Sequence, residues 1–211
     1  MNNLDFIYNR HSVRKFTDQE IPMEDITKIL EASTYCPSAK NVQNWHFVVV
    51  KNKQKIEEIA KSIEKKNSEI ANKLDDENKK AAFSKFVRFA TLFRNAPTVI
   101  LVYASSYTPT GLDELQEAGG YEQEINHIIG MSPQMQSIGA LIENLTLAAT
   151  AMGYGTCWMT SGNYAAREIS EVVQFTNNDF SLAAIVPIGV PNLPIKSPGR
   201  KPIEEVISII E

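Results

Sequence analysis

Cysteine is scarce: Cys36 and Cys157 are the only two in 211 residues, so a framework of several disulfides is excluded. Free thiols in a reducing compartment are the expectation. The three histidines, His11, His46 and His127, have no zinc-type spacing with those cysteines, which argues against a metal site. Positive charge is also short. Twenty-one Lys and Arg against 25 Asp and Glu leave a net charge of −4, so no global field draws the chain to nucleic acid or an anionic membrane. The segment Met1 to Asp5 lacks the basic stretch that precedes the apolar core of an export signal. The longest clean apolar run is Val99 to Ala104, far below the roughly 18 residues a membrane span needs. A cytoplasmic protein is expected, without membrane or nucleic-acid partners. Walker A and Gly-x-Ser-x-Gly motifs are absent too, which removes P-loop and serine-hydrolase chemistry. What the chain does have is 43% hydrophobic residues and enough length to bury a substantial core.

The apolar spacing predicts a helix from Ile21 to about Tyr35, stopped by Pro37, then a strand over Trp45 to Val50 buried on both faces. A charged amphipathic helix follows within Lys51 to Glu77, and another over Ala82 to Phe93. Thr98 to Tyr103 reads as a second buried strand, and Ser105 to Gly120 as a loop or lid. Met135, Ile138, Ile142, Leu145, Ala149 and Met152 recur at steps of 3, 4, 3, 4 and 3. With Gly139, Ala140, Leu141, Leu147 and Ala148 between them, this helix is apolar nearly all round and suits a subunit interface. Gly153 ends it. Strands are expected over Thr156 to Met159 and Leu182 to Ile188, with a short helix over Ala165 to Val173 between them. Pro187, Pro191, Pro194, Pro198 and Pro202 then carry the chain along a surface to the apolar stretch Ile203 to Ile210. No repeat or linker divides the chain. Asn-Gly hairpin turns are missing, so a single α/β or α+β domain over residues 1–211 follows, and patterning leaves both open.

Four segments carry candidate chemistry. In Arg10-His11-Ser12-Val13-Arg14-Lys15-Phe16, extended backbone puts Arg10, Ser12 and Arg14 on one side, two guanidinium forks and a hydroxyl that suit a phosphate monoester. A solvated basic face explains the same residues about as well. Pro37-Ser38-Ala39-Lys40-Asn41-Val42-Gln43-Asn44-Trp45 gathers amides able to face a heteroaromatic ring with alternating donors and acceptors, although Ser38 and Asn41 as plain loop caps is the simpler account. Gly153-Tyr154-Gly155-Thr156-Cys157-Trp158 contains Gly-x-Gly, but in helix-to-strand order and with Trp158 where a dinucleotide fingerprint needs its third glycine. Lys196 to Pro202 is a second basic cluster, which by itself reads as a surface loop and with Arg10 and Arg14 completes an anion site.

Taken together and in order, these segments resemble the nitroreductase family of FMN-dependent enzymes. The resemblance runs from Arg10–Phe16 through Pro37–Trp45, Gly139–Ala149 and Gly153–Trp158 to Arg200-Lys201-Pro202-Ile203-Glu204-Glu205-Val206. It implies an α+β fold, a central mixed or antiparallel sheet flanked by helices, in an intertwined homodimer with the long apolar helix and two FMN molecules at the interface. It implies that Arg10, His11, Ser12 and Arg14, with Arg200 and Lys201, hold the phosphate and ribityl chain. Pro37, Ser38, Ala39, Asn41 and Gln43 would approach the flavin from the other subunit, and Gly162 would turn its backbone N–H to the flavin N5 and O4 edge. Arg88, with Arg94 as the alternative, is the expected basic group near N1 and O2. Asn44 stands where the family usually has Pro, a change expected to loosen that turn. Pro198 stands where some members have a phosphate-binding Lys, a role open to Lys196 or Lys201.

On this resemblance NAD(P)H reduces FMN and leaves, and a nitroaromatic, quinone or related small acceptor takes its place in a ping-pong cycle. The alternative is an FMN sensor or store on the same fold, without reductase activity. The segment Ser105 to Gly120 and the helix near Phe86 would wall the acceptor pocket.

Overall fold

The structure, a computed structural model, describes residues 3–194 and 198–211. Helix α1 spans Asp5–Tyr8 and α2 spans Met23–Ser33, about two residues shorter than expected at each end. β1 (Trp45–Val50) is followed by α3 (Lys53–Ala71) and α4 (Glu77–Ala90). Each of these helices begins at a side-chain cap: Asn52 Oδ1 accepts from Lys55 N at 3.1 Å, and Asp76 Oδ1 from Asn78 N at 2.8 Å. Next come β2 (Thr98–Ser105), α5 (Leu112–Glu117), α6 (Glu122–Met131) and α7 (Pro133–Ala151). β3 (Gly155–Thr156), α8 (Ala166–Val172) and β4 (Phe180–Gly189) complete the set, with the tail 198–211 exposed along its length.

The four strands form one antiparallel sheet in the order β1-β2-β4-β3. Period-two alternation divides β2 between two cores. Val99, Leu101 and Tyr103 face α3, α4 and α8, while Ile100, Val102 and Ala104 face α2 and α7. The sheet is thus a middle layer between two cores, and its antiparallel pairing throughout decides for α+β. β2 and β4 keep one register until a bulge at Val102/Tyr103. There Ala183 and Ala184 both join the α2–α7 core, and the Ala183 carbonyl is left to accept from Asn163 Nδ2 at 2.7 Å.

Four expectations need correction. β1 is an edge strand with β2 as its only partner among the described residues, so it is half-buried rather than buried on both faces. The stretch 105–120 contains helix α5, started by acidic Asp113 and Glu114 after left-handed Gly111. The strand expected over Thr156 to Met159 is assigned only at Gly155–Thr156, yet Met159 exchanges both bonds with Ile185 in the same register. The interruption lies at Cys157, whose N–H donates to Pro187 O at 3.3 Å and gets nothing back, because proline has no N–H. Helix α7 buries Ile138, Leu141, Ile142, Leu145 and Ala149 under the sheet, but in the single chain its other face leaves Met135 exposed. Both cysteines are buried and free, as the low count suggested.

Candidate functional site

The basic N-terminal segment is laid along the β3 end of the sheet. Val13 N donates to Thr156 O at 2.8 Å, Ser12 bridges Thr156 in parallel, and Phe16 bridges Pro191. Val13 is buried, while Arg14 on the alternate side is exposed. Gly155 is what permits this approach, since a Cβ there would lie 2.6 Å from Val13 Cγ2 and 2.9 Å from the Pro191 ring. Two buried polar atoms beside Ser12, His11 Nδ1 and Thr156 Oγ1, have no hydrogen-bond partner among the described residues. Arg14 Nη1 donates to the Ser12 carbonyl at 3.3 Å, and its charge reaches Cys157, whose thiol is pushed up by burial and partly lowered by that guanidinium.

Arg10 is not a bare cation: its Nε lies 3.2 Å from Glu143 Oε1 of α7. This pair spans most of the chain, and the sequence alone gave no sign of it. Arg200 bonds carbonyls of its own loop, Pro198 O at 2.9 Å and Gly199 O at 3.4 Å, with Lys201 exposed beside it. Among the described residues no acceptor is shared by Arg200 with Arg10 or Arg14: Arg200 uses its own loop carbonyls, Arg14 the Ser12 carbonyl and Arg10 the Glu143 carboxylate. Lys196 and Ser197 lie outside the described residues.

The amide-rich loop is moored to α7. Ser137 Oγ accepts from Ala39 N at 3.1 Å and donates to Pro133 O at 3.0 Å. Pro37, Ser38 and Ala39 face Pro133, Gln136, Ser137 and Ala140 across an open cleft of about 400 Å³. Lys40, Asn41 and Gln43 all have left-handed φ, between 50° and 55°, a strain on the order of 1 kcal/mol each. The capping account also holds, since Ser38 Oγ accepts from Gln43 N at 3.2 Å and Asn41 Oδ1 from Gln43 Nε2 at 3.3 Å. Asn44 does the opposite of loosening the turn. It is buried, donates through Nδ2 to Ser105 O at 3.2 Å and accepts from Ser105 N at its own carbonyl at 2.9 Å.

Gly162 sits in a slot where a Cβ would lie 2.9 Å from Ile63 Cδ1 and 3.2 Å from Ile185 Cδ1. Asn163 follows it and is pinned by the bulge carbonyl of Ala183, so that bulge sets where the Gly162 backbone stands. Arg88 is exposed on α4 with Cζ 4.7 Å from the Phe89 ring centroid. Arg94 is instead held by Glu57 and Glu64 of α3, each at 2.8 Å.

The N-terminal segment fits a phosphate-bearing ligand: two guanidinium groups and a hydroxyl on one extended stretch, with orphaned buried polar atoms beside them. The fold therefore defines the class, an α+β protein with an antiparallel sheet at whose β3 end the Arg10–Arg14 segment is docked. A sequence profile of the Nitroreductase family matches residues 7–190, and the chain belongs to that family. It is similar over the whole of both chains to a BluB-like flavoprotein from Clostridium difficile 630, at 42% identity and a TM-score of 0.93. An FMN-bound nitroreductase from Bacteroides fragilis NCTC 9343 shares the fold over the whole of both chains, with a TM-score of 0.74 at 23% identity. Protein DrgA of Synechocystis sp. is 28% identical over 231 aligned residues, 99% of this chain and 96% of DrgA.

Proposed function

We propose that this oxidoreductase binds FMN, takes hydride from NADH or NADPH, and reduces a nitroaromatic, quinone or related small acceptor in a ping-pong cycle. The observation that carries the reading is the docking of Arg10–Arg14 on β3, which holds Ser12 and Arg14 in fixed register beside Thr156. Bound FMN supplies the hydride chemistry; the protein supplies position and field. On this reading Arg10, His11, Ser12 and Arg14 grip the phosphate and ribityl chain, joined by Arg200 and Lys201. Gly162 offers backbone to the N5 and O4 edge, and Arg88 places positive charge toward N1 and O2.

The working unit is a homodimer in the cytoplasm. The second chain would cover the outer face of α7 and bring Pro37, Ser38, Ala39, Asn41 and Gln43 to its partner's flavin. The exposed apolar side chains of the tail, among them Ile203, Val206 and Ile209, support this, since an isolated chain leaves them in water. Two buried thiols suit a reducing compartment.

Arg10→Ala and Arg14→Ala should each weaken FMN retention by about 1.5–3 kcal/mol, the usual range for a charge-assisted hydrogen bond. Equilibrium titration checks this, and unchanged affinity in both variants argues against the phosphate assignment. A second reading is flavin held without reductase turnover, and the 42% identical BluB-like flavoprotein is compatible with either. Steady-state NAD(P)H consumption with a panel of quinones and nitroaromatics separates the two, since a sensor or store consumes none.

A further inference from the structure

Glu143 projects from α7, where the neighbouring Leu141, Ile142 and Leu145 are fully or almost fully buried, so its backbone is held by the core. Its Oε1 meets Arg10 Nε at 3.2 Å. The single Thr146 hydroxyl proton is shared between the Glu143 backbone carbonyl at 3.0 Å and Oε2 at 3.3 Å. Thr146 is itself 1% exposed, which makes it a rigid stop one turn along the helix. Both carboxylate oxygens are thereby used, one to fix the acid and one to fix the arginine.

A carboxylate beside a phosphate-binding arginine is a liability on charge alone, because it repels the ligand. The geometry gives it a different use. Glu143 takes the inner nitrogen of the guanidinium, Nε, whereas the outer pair Nη1 and Nη2 is one of the edges that can meet an oxyanion with two parallel bonds. Holding Nε orients the outer edge before any ligand arrives. A long side chain that would otherwise lose its rotamer freedom on binding has already lost it.

We propose that Glu143 is a positioning residue for Arg10, presetting its guanidinium for the phosphate of FMN; this rests on the FMN reading above. Its signature is selectivity for flavin carrying a phosphate. The test follows release of flavin from the loaded full-length protein on dilution, read by recovery of free flavin fluorescence. It uses FMN and riboflavin with wild type, Glu143→Gln and Glu143→Ala. Glu143→Ala should release FMN about tenfold faster, as expected when a preorganised contact must be ordered during binding. Glu143→Gln keeps an acceptor for Arg10 Nε and should stay within about twofold of wild type. Riboflavin, without the phosphate, should leave all three proteins at one rate. Unchanged or slower FMN release from Glu143→Ala overturns the proposal, and so does equal acceleration of FMN and riboflavin, which marks a merely structural role. A wild-type protein that retains no FMN overturns the FMN reading itself, a separate result.

Discussion

Gly155 and Asn44 do work that their residue types do not advertise. A Cβ at 155 would press on Val13 Cβ and on a proline ring, neither of which can swing aside. Gly155→Ala should therefore lift the Arg10–Phe16 segment from β3 and cost about 1–3 kcal/mol, the usual range for overpacking, with FMN retention lost in parallel. Thermal unfolding and flavin release measure the two effects. Asn44 was expected only to slacken a turn where the family has proline; instead its amide closes a buried two-way link to Ser105. Sequence could not expose this, because the partner lies 61 residues away. Asn44→Ala should cost about 1–3 kcal/mol by leaving the Ser105 carbonyl unsatisfied, checked by denaturant unfolding. The cysteines were readable from their number and apolar neighbours. Burial pushes both thiols up, with Arg14 opposing this at Cys157, so a thiol reagent at neutral pH should modify neither until the protein unfolds.

Among the elements, α7 and β2 were legible because their periodicities are long and uninterrupted, and both stand where the apolar spacing put them. The pair α5 and α6 was not. α5 is six residues long without a buried side chain, and α6 buries none either, so neither writes an apolar stripe into the sequence. β3 was misjudged at its end because the missing bond depends on Pro187 in another strand. The turn from α7 into β3 is tied to the start of α2 by Tyr154, whose hydroxyl donates to Asp25 Oδ2 at 2.5 Å. That bond, helped by burial and the Asp25 charge, holds the phenol above its usual value of 10.0. A raised phenol pKa means that the contribution is complete below about pH 10 and is lost as pH climbs through the folded value. Tyr154→Phe should accordingly melt below wild type at neutral pH, with the gap closing in strongly alkaline buffer.

At the scale of the whole molecule, the sheet is packed between two helical layers and its β3 end receives the Arg10–Phe16 segment. Patterning alone could not choose α+β over α/β, because strand direction depends on pairings such as β2 with β4, which are distant in sequence. It also could not tell that Arg10 reaches α7, since Glu143 reads as one charge on an apolar helix. The family resemblance, by contrast, was legible from five short motifs in order. A homodimer predicts a mass near 47 kDa in solution, twice the 23.6 kDa of the chain, measurable by light scattering. A monomer would leave the outer face of α7 and the apolar tail in water, contrary to the proposal. Flavin reduced by a nicotinamide is the central claim, and an anaerobic absorbance titration of the purified protein with NADH and with NADPH tests it. A flavin band that bleaches with at least one nicotinamide is predicted. A colourless protein that takes up no added FMN would contradict the account.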